Sequence, residues 1–204
     1  MLDTAFFRRW LALAGAAVDR EADRLTELDS AIGDADHGSN LRRGFASVSA
    51  ALDAEPPATP GAVLVLAGRQ LISSVGGASG PLYGTLLRRT GKELGDATEV
   101  APGRLAEALR AGVAAVAQLG GAAAGDKTML DALEPAVAAL GDTTESFAAA
   151  RDAAEAGAQA TVPLQARKGR ASYLGERSIG HRDPGATSSA LLIAALAQAA
   201  EEEA

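Results

Sequence analysis

Apolar residues recur at spacings of three and four along most of the chain, which places them on one face of successive α-helices. One such stripe consists of Leu105, Leu109, Val113, Val116 and Leu119. Alanine is abundant, and the alternation of β-branched residues that marks strands is scarce, so helix propensity agrees with the pattern. The sequence therefore predicts an all-α protein.

Glycine and proline positions divide the chain into about eight helices. Their predicted spans are residues 3–27, 38–54, 60–75, 81–95, 102–119, 127–140, 143–165 and 185–202. Short antiparallel helices place every second connection at the same end of a bundle, so loops that are distant in sequence are expected to converge there. A length of 204 residues suffices for one well-buried domain, and we expect a single domain over 1–204.

Composition and charge exclude several classes of function. The net charge of −7 leaves no basic field to attract nucleic acid, while 48% hydrophobic and 22% charged residues are typical of a globular chain. Cysteine is absent, which excludes disulfides, thiolate metal sites and cysteine catalysis. No apolar stretch approaches the ~20 residues that span a bilayer, and the apolar run near the start continues as an amphipathic helix rather than a signal peptide. We expect a cytoplasmic protein that binds neither nucleic acid nor membrane.

The stretch LDSAIGDADHGSN, residues 28–40, places Asp29, Asp34 and Asp36 within eight residues. Ionised carboxylates this close repel one another, so they need a cation, a wet setting or raised pKa values. An EF-hand is excluded because Phe45 would stand where its loop requires glutamate, and zinc disfavours an oxygen-rich donor set. Magnesium fits, because it binds a few carboxylates and completes its octahedron with water and phosphate oxygens. An acidic loop that merely caps two helices remains the alternative.

Two glycine-rich connections favour a phosphate ligand. In GGASG, residues 76–80, the glycines allow close backbone approach, and Ser79 can donate to a phosphate oxygen at the start of a helix. A tight turn that simply requires glycine is the alternative interpretation. The second connection, GGAAAGDKT at 120–128, is not a P-loop, because an aspartate separates its last glycine from the lysine and no strand precedes it.

A long segment without predicted secondary structure covers residues 165–189, and loops of that length commonly act as lids or binding loops. Its basic residues provide the polarity required around a polyphosphate, unless they form a solvated surface run. Lys127 and Lys168 both lie in such loops, which hints at the same chemistry. Asp183 precedes the last helix, where it can accept from backbone amides or a ribose hydroxyl.

The chain resembles the DhaL family, the nucleotide-binding subunits of bacterial dihydroxyacetone kinases. Four stretches carry the resemblance, in order over about residues 3–200: LDSAIGDADHGSN, SSVGGASGPLYGT, GDKTMLDAL and QARKGRASYLGERSIGHRDPGATSS. The resemblance implies an eight-helix antiparallel up-and-down barrel, with a nucleotide site at one end capped by the long loop.

The same resemblance implies roles for individual residues. Two Mg²⁺ ions that bind the nucleotide's phosphates are held by Asp29, Asp34 and Asp36. The implied phosphate-side contacts are His37, Gly38, Ser39, Asn40, Ala78 and Ser79. Adenine-side contacts are Gly120 and Met129, and matching lid positions are Arg170, Asp183, Pro184 and Gly185. We expect Arg170 to stabilise the transferring phosphoryl group, because a preceding glycine and small following residues let it fold over the phosphates.

The resemblance also implies that the chain is one part of an enzyme. A separate DhaK-type subunit holds dihydroxyacetone, and this chain delivers a phosphoryl group from bound ADP/ATP. In the phosphotransferase-system version, which the motifs favour, a DhaM-type protein rephosphorylates the bound ADP. The alternatives are an ATP-exchanging kinase subunit for another short ketose, and a nucleotide-dependent adaptor for a transcription regulator. The lid, with few apolar anchors, is expected to be mobile without its ligand.

Overall fold

The computed structural model describes residues 1–202, which are predominantly helical. The α-helices are α1 Thr4–Ile32, α2 His37–Ala54, α3 Pro60–Ser74, α4 Ser79–Leu94, α5 Pro102–Gly120, α6 Leu130–Ala139, α7 Ser146–Ala160 and α8 Pro184–Glu201. Two short strands, β1 Leu2–Asp3 and β2 Glu99–Val100, form an antiparallel pair in which Leu2 faces Val100. The all-α prediction is confirmed.

Each helix packs against the next one in the chain, and α8 packs back against α1. This order of contacts forms a closed ring and is consistent with the expected up-and-down barrel. At the closure, the indole N–H of Trp10 in α1 donates to the Leu192 carbonyl in α8 at 2.9 Å, so the buried ring has its polar atom paired. Among the described residues, no helix combines the length and the apolar character required to cross a membrane.

The predicted apolar stripe of α1 forms much of the core. Phe6, Phe7 and Trp10 are fully buried, and their neighbouring rings meet edge to face with centroids 5.5 and 6.2 Å apart. Phe147 of α7 contacts the same group at 6.5 Å from Phe6. Aromatic residues bury more apolar area than other side chains, so this cluster fixes α1 against α7 with a large hydrophobic gain.

Local sequence signals determine where several helices begin. The Asp3 carboxylate accepts from the Phe6 amide at 2.8 Å at the start of α1, and Thr59 caps α3 in the same way. Proline is the first residue of both α3 and α8, where its missing N–H costs nothing. Each such cap contributes about 1 kcal/mol to stability.

Close helix contacts require glycine between α3 and α4. A Cβ at Gly68 would lie 2.7 Å from the Gly84 carbonyl oxygen, and one at Gly84 would meet the Gly68 carbonyl oxygen at the same distance. The two backbones therefore approach each other more closely than any larger residue allows, which brings the end of α3 and the start of α4 together.

Several predicted boundaries differ from the structure, among them the helix predicted over residues 143–165, which ends at Ala160. α1 continues past residue 27 to Ile32, because the helical stripe extends without a breaker until Gly33. α6 begins at Leu130 rather than residue 127, since Lys127 adopts a φ of +63° that ends any helix. The predicted structureless loop contains 3-10 helical turns over Arg170–Ser178, interrupted at Gly175.

Candidate functional site

A cavity of about 410 Å³ opens at the end of the ring where every even-numbered helix begins. Its wall includes the first residues of α2, α4 and α8, which are His37, Ser79 and Pro184, and Met129 directly before α6. The expected convergence of the distant loops is therefore confirmed. Helix N-termini present unpaired N–H groups and the positive end of the helix dipole, so this end of the protein favours an anionic ligand.

The three aspartates form one cluster at the rim of this cavity. Asp29, Asp34 and Asp36 each offer an oxygen, and these oxygens lie within 4.8 Å of one another. Asp29 is buried near the end of α1, whereas in the following loop Asp34 is exposed and Asp36 is only partly buried. An all-oxygen set at this spacing has the donor chemistry that Mg²⁺ prefers.

Asp29 has a second, structural role in this cluster. Its Oδ2 accepts from the amides of Asp36 at 2.9 Å and His37 at 3.2 Å, so it satisfies N–H groups at the start of α2. The capping alternative for the acidic stretch is thus partly correct, and the metal site stays a prediction. Asp29 caps a helix, while the Asp36 side chain makes no capping hydrogen bond and faces the rim unpaired within residues 1–202.

The backbone of the acidic loop is constrained at two positions. A side chain at Gly33 would collide with the Asp29 carboxylate, which explains the glycine there. Ala35, between the two loop aspartates, has a φ of +63°, a conformation that non-glycine residues adopt rarely and mainly at functional sites.

Arg170 reaches the acidic cluster from the long loop. Its guanidinium lies 2.9 Å from the Asp34 carboxylate, although the Arg170 side chain remains 70% exposed. The contact supplies a positive charge where carboxylates accumulate. An exposed pair of this kind contributes little to stability, so Arg170 is free to exchange partners.

His37 connects the starts of three helices. Its Nε2 lies 2.8 Å from Ser188 Oγ in α8, and its Nδ1 lies 3.2 Å from Ser79 Oγ at the start of α4. Ser188 in turn contacts the Tyr83 hydroxyl at 2.6 Å. Burial lowers the pKa of His37, against the opposing effect of Asp29 and Asp36, while burial raises the pKa of Tyr83 to about 12. Both are therefore neutral near pH 7, and they orient Ser79 toward the cavity.

The opposite wall of the cavity is apolar. It is formed by Leu82, Val116, Leu119 and Met129, with Gly120 beside them. Leu119 is 55% exposed, so the last residue of the stripe predicted for α5 lines the cavity instead of packing in the core. An apolar wall opposite a charged rim suits a ligand with a flat aromatic part and an anionic part.

A second charged group lies under the cavity and is buried. The Asp131 carboxylate accepts from the amides of Gly125 and Thr128 at 2.6 and 2.7 Å, and Asp183 accepts from the Ala186 amide at 2.7 Å. Burial raises the pKa of Asp183 to about 7. Asp183 thus caps α8, and the expected contact with a ribose is not needed to explain its position.

Lys127 belongs to the same buried group. Its ammonium donates to the carbonyls of Leu164, Ser178 and His181, and only 1% of the residue is exposed. Because an ammonium has three N–H donors, all of them are occupied by the protein. The hint of a phosphate contact from its loop position is therefore not supported for Lys127.

The connection between α7 and α8, residues 161–183, forms the lid of the cavity. Its neck consists of residues 162–166 and 178–181, which are joined by bonds from Gly180 to the Val162 carbonyl at 2.8 Å and from the Ala166 amide to Ser178 Oγ at 2.9 Å. Its tip, residues 167–177, carries Arg170 over the rim and exposes 88% of Tyr173.

Most of the predicted site residues meet at the cavity, but three do not line it. Ala78, Ser79, Gly120, Met129, Asp183, Pro184 and Gly185 line it together with His37, Arg170 and the three aspartates. By contrast, Gly38 packs against the Ala22 carbonyl, Ser39 Oγ donates to the Asp36 carbonyl, and Asn40 accepts from Arg43. For these three residues the phosphate contact stays a prediction.

Sequence reasoning missed the groups that orient the site. Tyr83, Ser188 and Asp131 each make the hydrogen bonds described above, yet none was predicted as a functional residue. All three fall inside the motif stretches, where a tyrosine among glycines and a serine pair after a helix-starting proline were the available signals.

A ring of helices with an acidic rim and an end that favours anions is the arrangement expected of a protein that binds phosphate ligands, and comparison with family models identifies the family. The model of the DAK2 domain matches residues 31–198. The chain belongs to the DAK2-domain family.

Two relatives are similar over almost their full length. The chain is 46% identical over 201 residues to "PEP-dependent dihydroxyacetone kinase 2, ADP-binding subunit DhaL" of Listeria innocua, covering 95% of this chain and 93% of that protein. It is 45% identical over 200 residues to the corresponding ADP-binding subunit DhaL of Escherichia coli K12, covering 95% of each. The resemblance to the DhaL family is confirmed.

A solved structure supports the same relationship. The crystal structure of the dihydroxyacetone kinase from C. freundii in complex with AMP-PNP and Mg²⁺ is 30% identical and superposes with a TM-score of 0.75. The match covers 95% of this chain and 34% of that one, so this chain spans about a third of the longer kinase.

Proposed function

We propose that the chain is the Mg-nucleotide-binding subunit of a dihydroxyacetone kinase. In this role it passes a phosphoryl group from a bound adenine nucleotide to dihydroxyacetone held on a DhaK-type subunit. The observation that carries the proposal is the cluster of Asp29, Asp34 and Asp36, whose oxygens lie within 4.8 Å of one another at the rim of a cavity that favours anions. The similarity to ADP-binding DhaL subunits supports it.

The acidic cluster fits the metal that this function requires. Its oxygens are hard donors at close spacing, and Arg170 already places a cation 2.9 Å from Asp34. Magnesium, when bound, neutralises the phosphate oxygens and lowers the barrier to their transfer. We infer that the cluster holds two ions, because three clustered carboxylates can bridge two Mg²⁺ ions that bind phosphate oxygens and water at their remaining positions.

The chain itself supplies the phosphate contacts and the base contacts. Ser79, held by the neutral His37, presents its hydroxyl at the start of α4, where Gly77 with a φ of +67° lets the backbone approach a ligand. On the other side, Met129, Leu119 and their apolar neighbours offer a surface for adenine.

Arg170 is the residue that we assign to transfer. Its guanidinium lies at the acidic rim on an exposed lid tip, and its planar fork can contact two oxygens of one phosphoryl group. Because the transition state of phosphoryl transfer spreads charge over these oxygens, a positioned guanidinium lowers the barrier without a covalent step.

The proposal includes the partners. Transfer requires a DhaK-type subunit that binds dihydroxyacetone, and a DhaM-type protein that rephosphorylates ADP in place, in keeping with the PEP dependence in the names of the relatives. We infer a single domain over residues 1–204 that acts in the cytoplasm, with residues 203–204 outside the described part.

Reconstitution tests this function. The purified protein should retain ADP through gel filtration and should phosphorylate dihydroxyacetone only when a DhaK-type protein, a DhaM-type protein and its PEP-dependent donors are present. Turnover with ATP in place of the DhaM-type donor would favour an exchanging kinase, and the same assay with a four-carbon ketose and its DhaK-type protein tests the other substrate. ADP-dependent binding to a transcription regulator without turnover would favour the adaptor. Absence of ADP binding would contradict the proposal.

A further inference from the structure

The buried Lys127 joins the two sides of the lid. Its ammonium donates to the Leu164 carbonyl at 3.0 Å on the segment that enters the lid. On the segment that leaves the lid, it donates to the Ser178 carbonyl at 2.7 Å and to the His181 carbonyl. No other side chain within residues 1–202 donates to both halves of the neck. Lys127 therefore ties the two neck segments together from a neighbouring loop, whereas the other neck hydrogen bonds run directly between the two segments.

Burying an ammonium is costly unless each N–H is paired, and here all three are paired. The nearby carboxylates of Asp131 and Asp183 partly offset its charge. Lys127 also adopts a φ of +63°, which a lysine adopts only at a cost. Global stability alone does not require such an arrangement, because an apolar side chain fills a buried position at lower cost.

Lys127 also connects the lid to the wall of the cavity. The Arg167 amide donates to the Asp126 carbonyl at 3.1 Å, so the first residue of the lid tip is bound to the loop that carries Lys127. Two residues after Lys127, Met129 lies on the apolar wall of the cavity, and Asp131 holds the intervening turn through the Thr128 amide. The loop that lines the cavity therefore also sets the position of the lid neck.

The tip depends on this neck for its position. Gly169 and Gly175 have φ values of +64° and +58°, conformations in which glycine is far less restricted than other residues, and they lie on either side of Arg170 within the tip. Apart from the Arg170 contact with Asp34, which is largely exposed, the tip has no charged contact to the rim of the cavity within the described chain. Apart from the contacts of Arg167 with Asp126, the position of Arg170 therefore depends on the neck.

We propose that Lys127 is a positioning residue for phosphoryl transfer, which clamps the lid neck so that Arg170 is held over the acidic rim. This role rests on the proposed function. Because its three N–H groups all donate to carbonyls of the lid, Lys127 acts through the lid rather than on a phosphate.

Replacing Lys127 tests the clamp. Lys127→Met gives an unbranched side chain one atom shorter and removes the charge and donors, whereas Lys127→Gln keeps two donors without the charge. Lys92→Met is the matched control on an exposed lysine of α4. In the metal-free protein, hydrogen exchange and tryptic cleavage of residues 161–183 should accelerate about tenfold in Lys127→Met, less in Lys127→Gln and not in Lys92→Met, with α1 to α5 unchanged.

Transfer and binding should then separate. We expect Lys127→Met to reduce the transfer rate about 10²-fold, since a small displacement of a catalytic group has that effect, while the Kd for ADP changes less than about threefold. Lys127→Gln should recover part of the rate in step with lid protection.

Several outcomes would overturn the clamp: unchanged lid exchange, faster exchange throughout the helices, equal losses in rate and affinity, or failure of both Lys127 variants to fold. The lid measurements need neither nucleotide nor partner. If the wild-type protein shows no transfer, the proposed function fails, and the exchange data still decide whether Lys127 clamps the lid.

Discussion

Two charged groups lie at the same end of the ring, and they differ in how their charges are paired. Asp34 is exposed at the rim and Asp36 is only partly buried there, and within residues 1–202 the exposed guanidinium of Arg170 is the ionic partner of Asp34. Beneath them, Lys127 and Asp131 are buried, and their charged groups form hydrogen bonds with backbone carbonyls and amides. A charged group that is already satisfied holds the structure, whereas one left without partners near a cavity is available to a ligand.

The distinction also accounts for the cost of each group. A buried charge is tolerated only when paired, so the lower group must be complete in the absence of any ligand. Clustered exposed carboxylates repel one another unless a cation is bound, so the rim favours binding of a metal ion. Asp29 belongs to both, since it is buried, caps α2 and still offers an oxygen to the rim.

Removing a rim carboxylate should have the largest effect. Asp34→Asn or Asp36→Asn should abolish retention of Mg·ADP, because each removes a charge needed to bind the metal, while helical content stays unchanged. Asp29→Asn should also abolish retention, because the amide keeps one acceptor for the α2 amides but loses the charge. Calorimetry with Mg·ADP and circular dichroism measure both, with the exposed Asp23→Asn on α1 as the control. Normal affinity in all three variants would remove the rim from the ligand site.

Removing the guanidinium should affect the rate of transfer more than binding. Arg170→Ala should slow phosphoryl transfer to dihydroxyacetone by about 10³-fold or more, with a much smaller change in ADP affinity. Arg170→Lys should recover only part of the rate, because an ammonium keeps the charge and loses the planar fork. Reconstituted turnover beside equilibrium ADP binding makes the measurement, and Arg177→Ala in the same tip is the control. Equal losses in rate and affinity would make Arg170 a binding contact, and no loss would make the basic lid a solvated surface.

The buried carboxylate of Asp183 should show itself in the pH dependence of stability. Burial raises the pKa of Asp183 from 3.8 to about 7, so the folded protein holds a proton that the unfolded chain has released. The free energy of unfolding should therefore fall as the pH rises from about 4 to about 7, by up to about 1.4 kcal/mol per pH unit from this group. Asp183→Asn should flatten that slope, and Asp23→Asn should not. Urea unfolding of the metal-free protein at pH 5 and pH 7 measures it, and an equal slope in all three proteins would contradict the assignment.

Much of the fold follows from local sequence. The stripe of Phe6, Phe7 and Trp10 predicts α1, and Thr59 with Pro60 predicts the start of α3, because helical periodicity and caps depend only on nearby residues. The boundaries fail where a local rule is overridden, as at Lys127, whose buried contacts hold a backbone conformation that no helix allows.

The candidate site is predictable to a different extent. The aspartates are close in sequence, so their spacing alone suggests either a metal site or a helix-capping loop at Asp29, Asp34 and Asp36. Tyr83 and Ser188 are distant in sequence, and nothing local predicts that they meet His37. The resemblance to DhaL names the residues of the lid, but it does not show which of them are free to move.

By itself the sequence determined an all-helical chain, its approximate helices and the acidic cluster, because each depends on side chains within a few turns of one another. Only the tertiary structure decided that Asp29 caps α2, that Arg170 reaches Asp34 and that Lys127 holds the lid rather than a phosphate. The physical reason is that the use of a charge depends on which donors and acceptors surround it, and those neighbours come from distant parts of the chain when the ring closes.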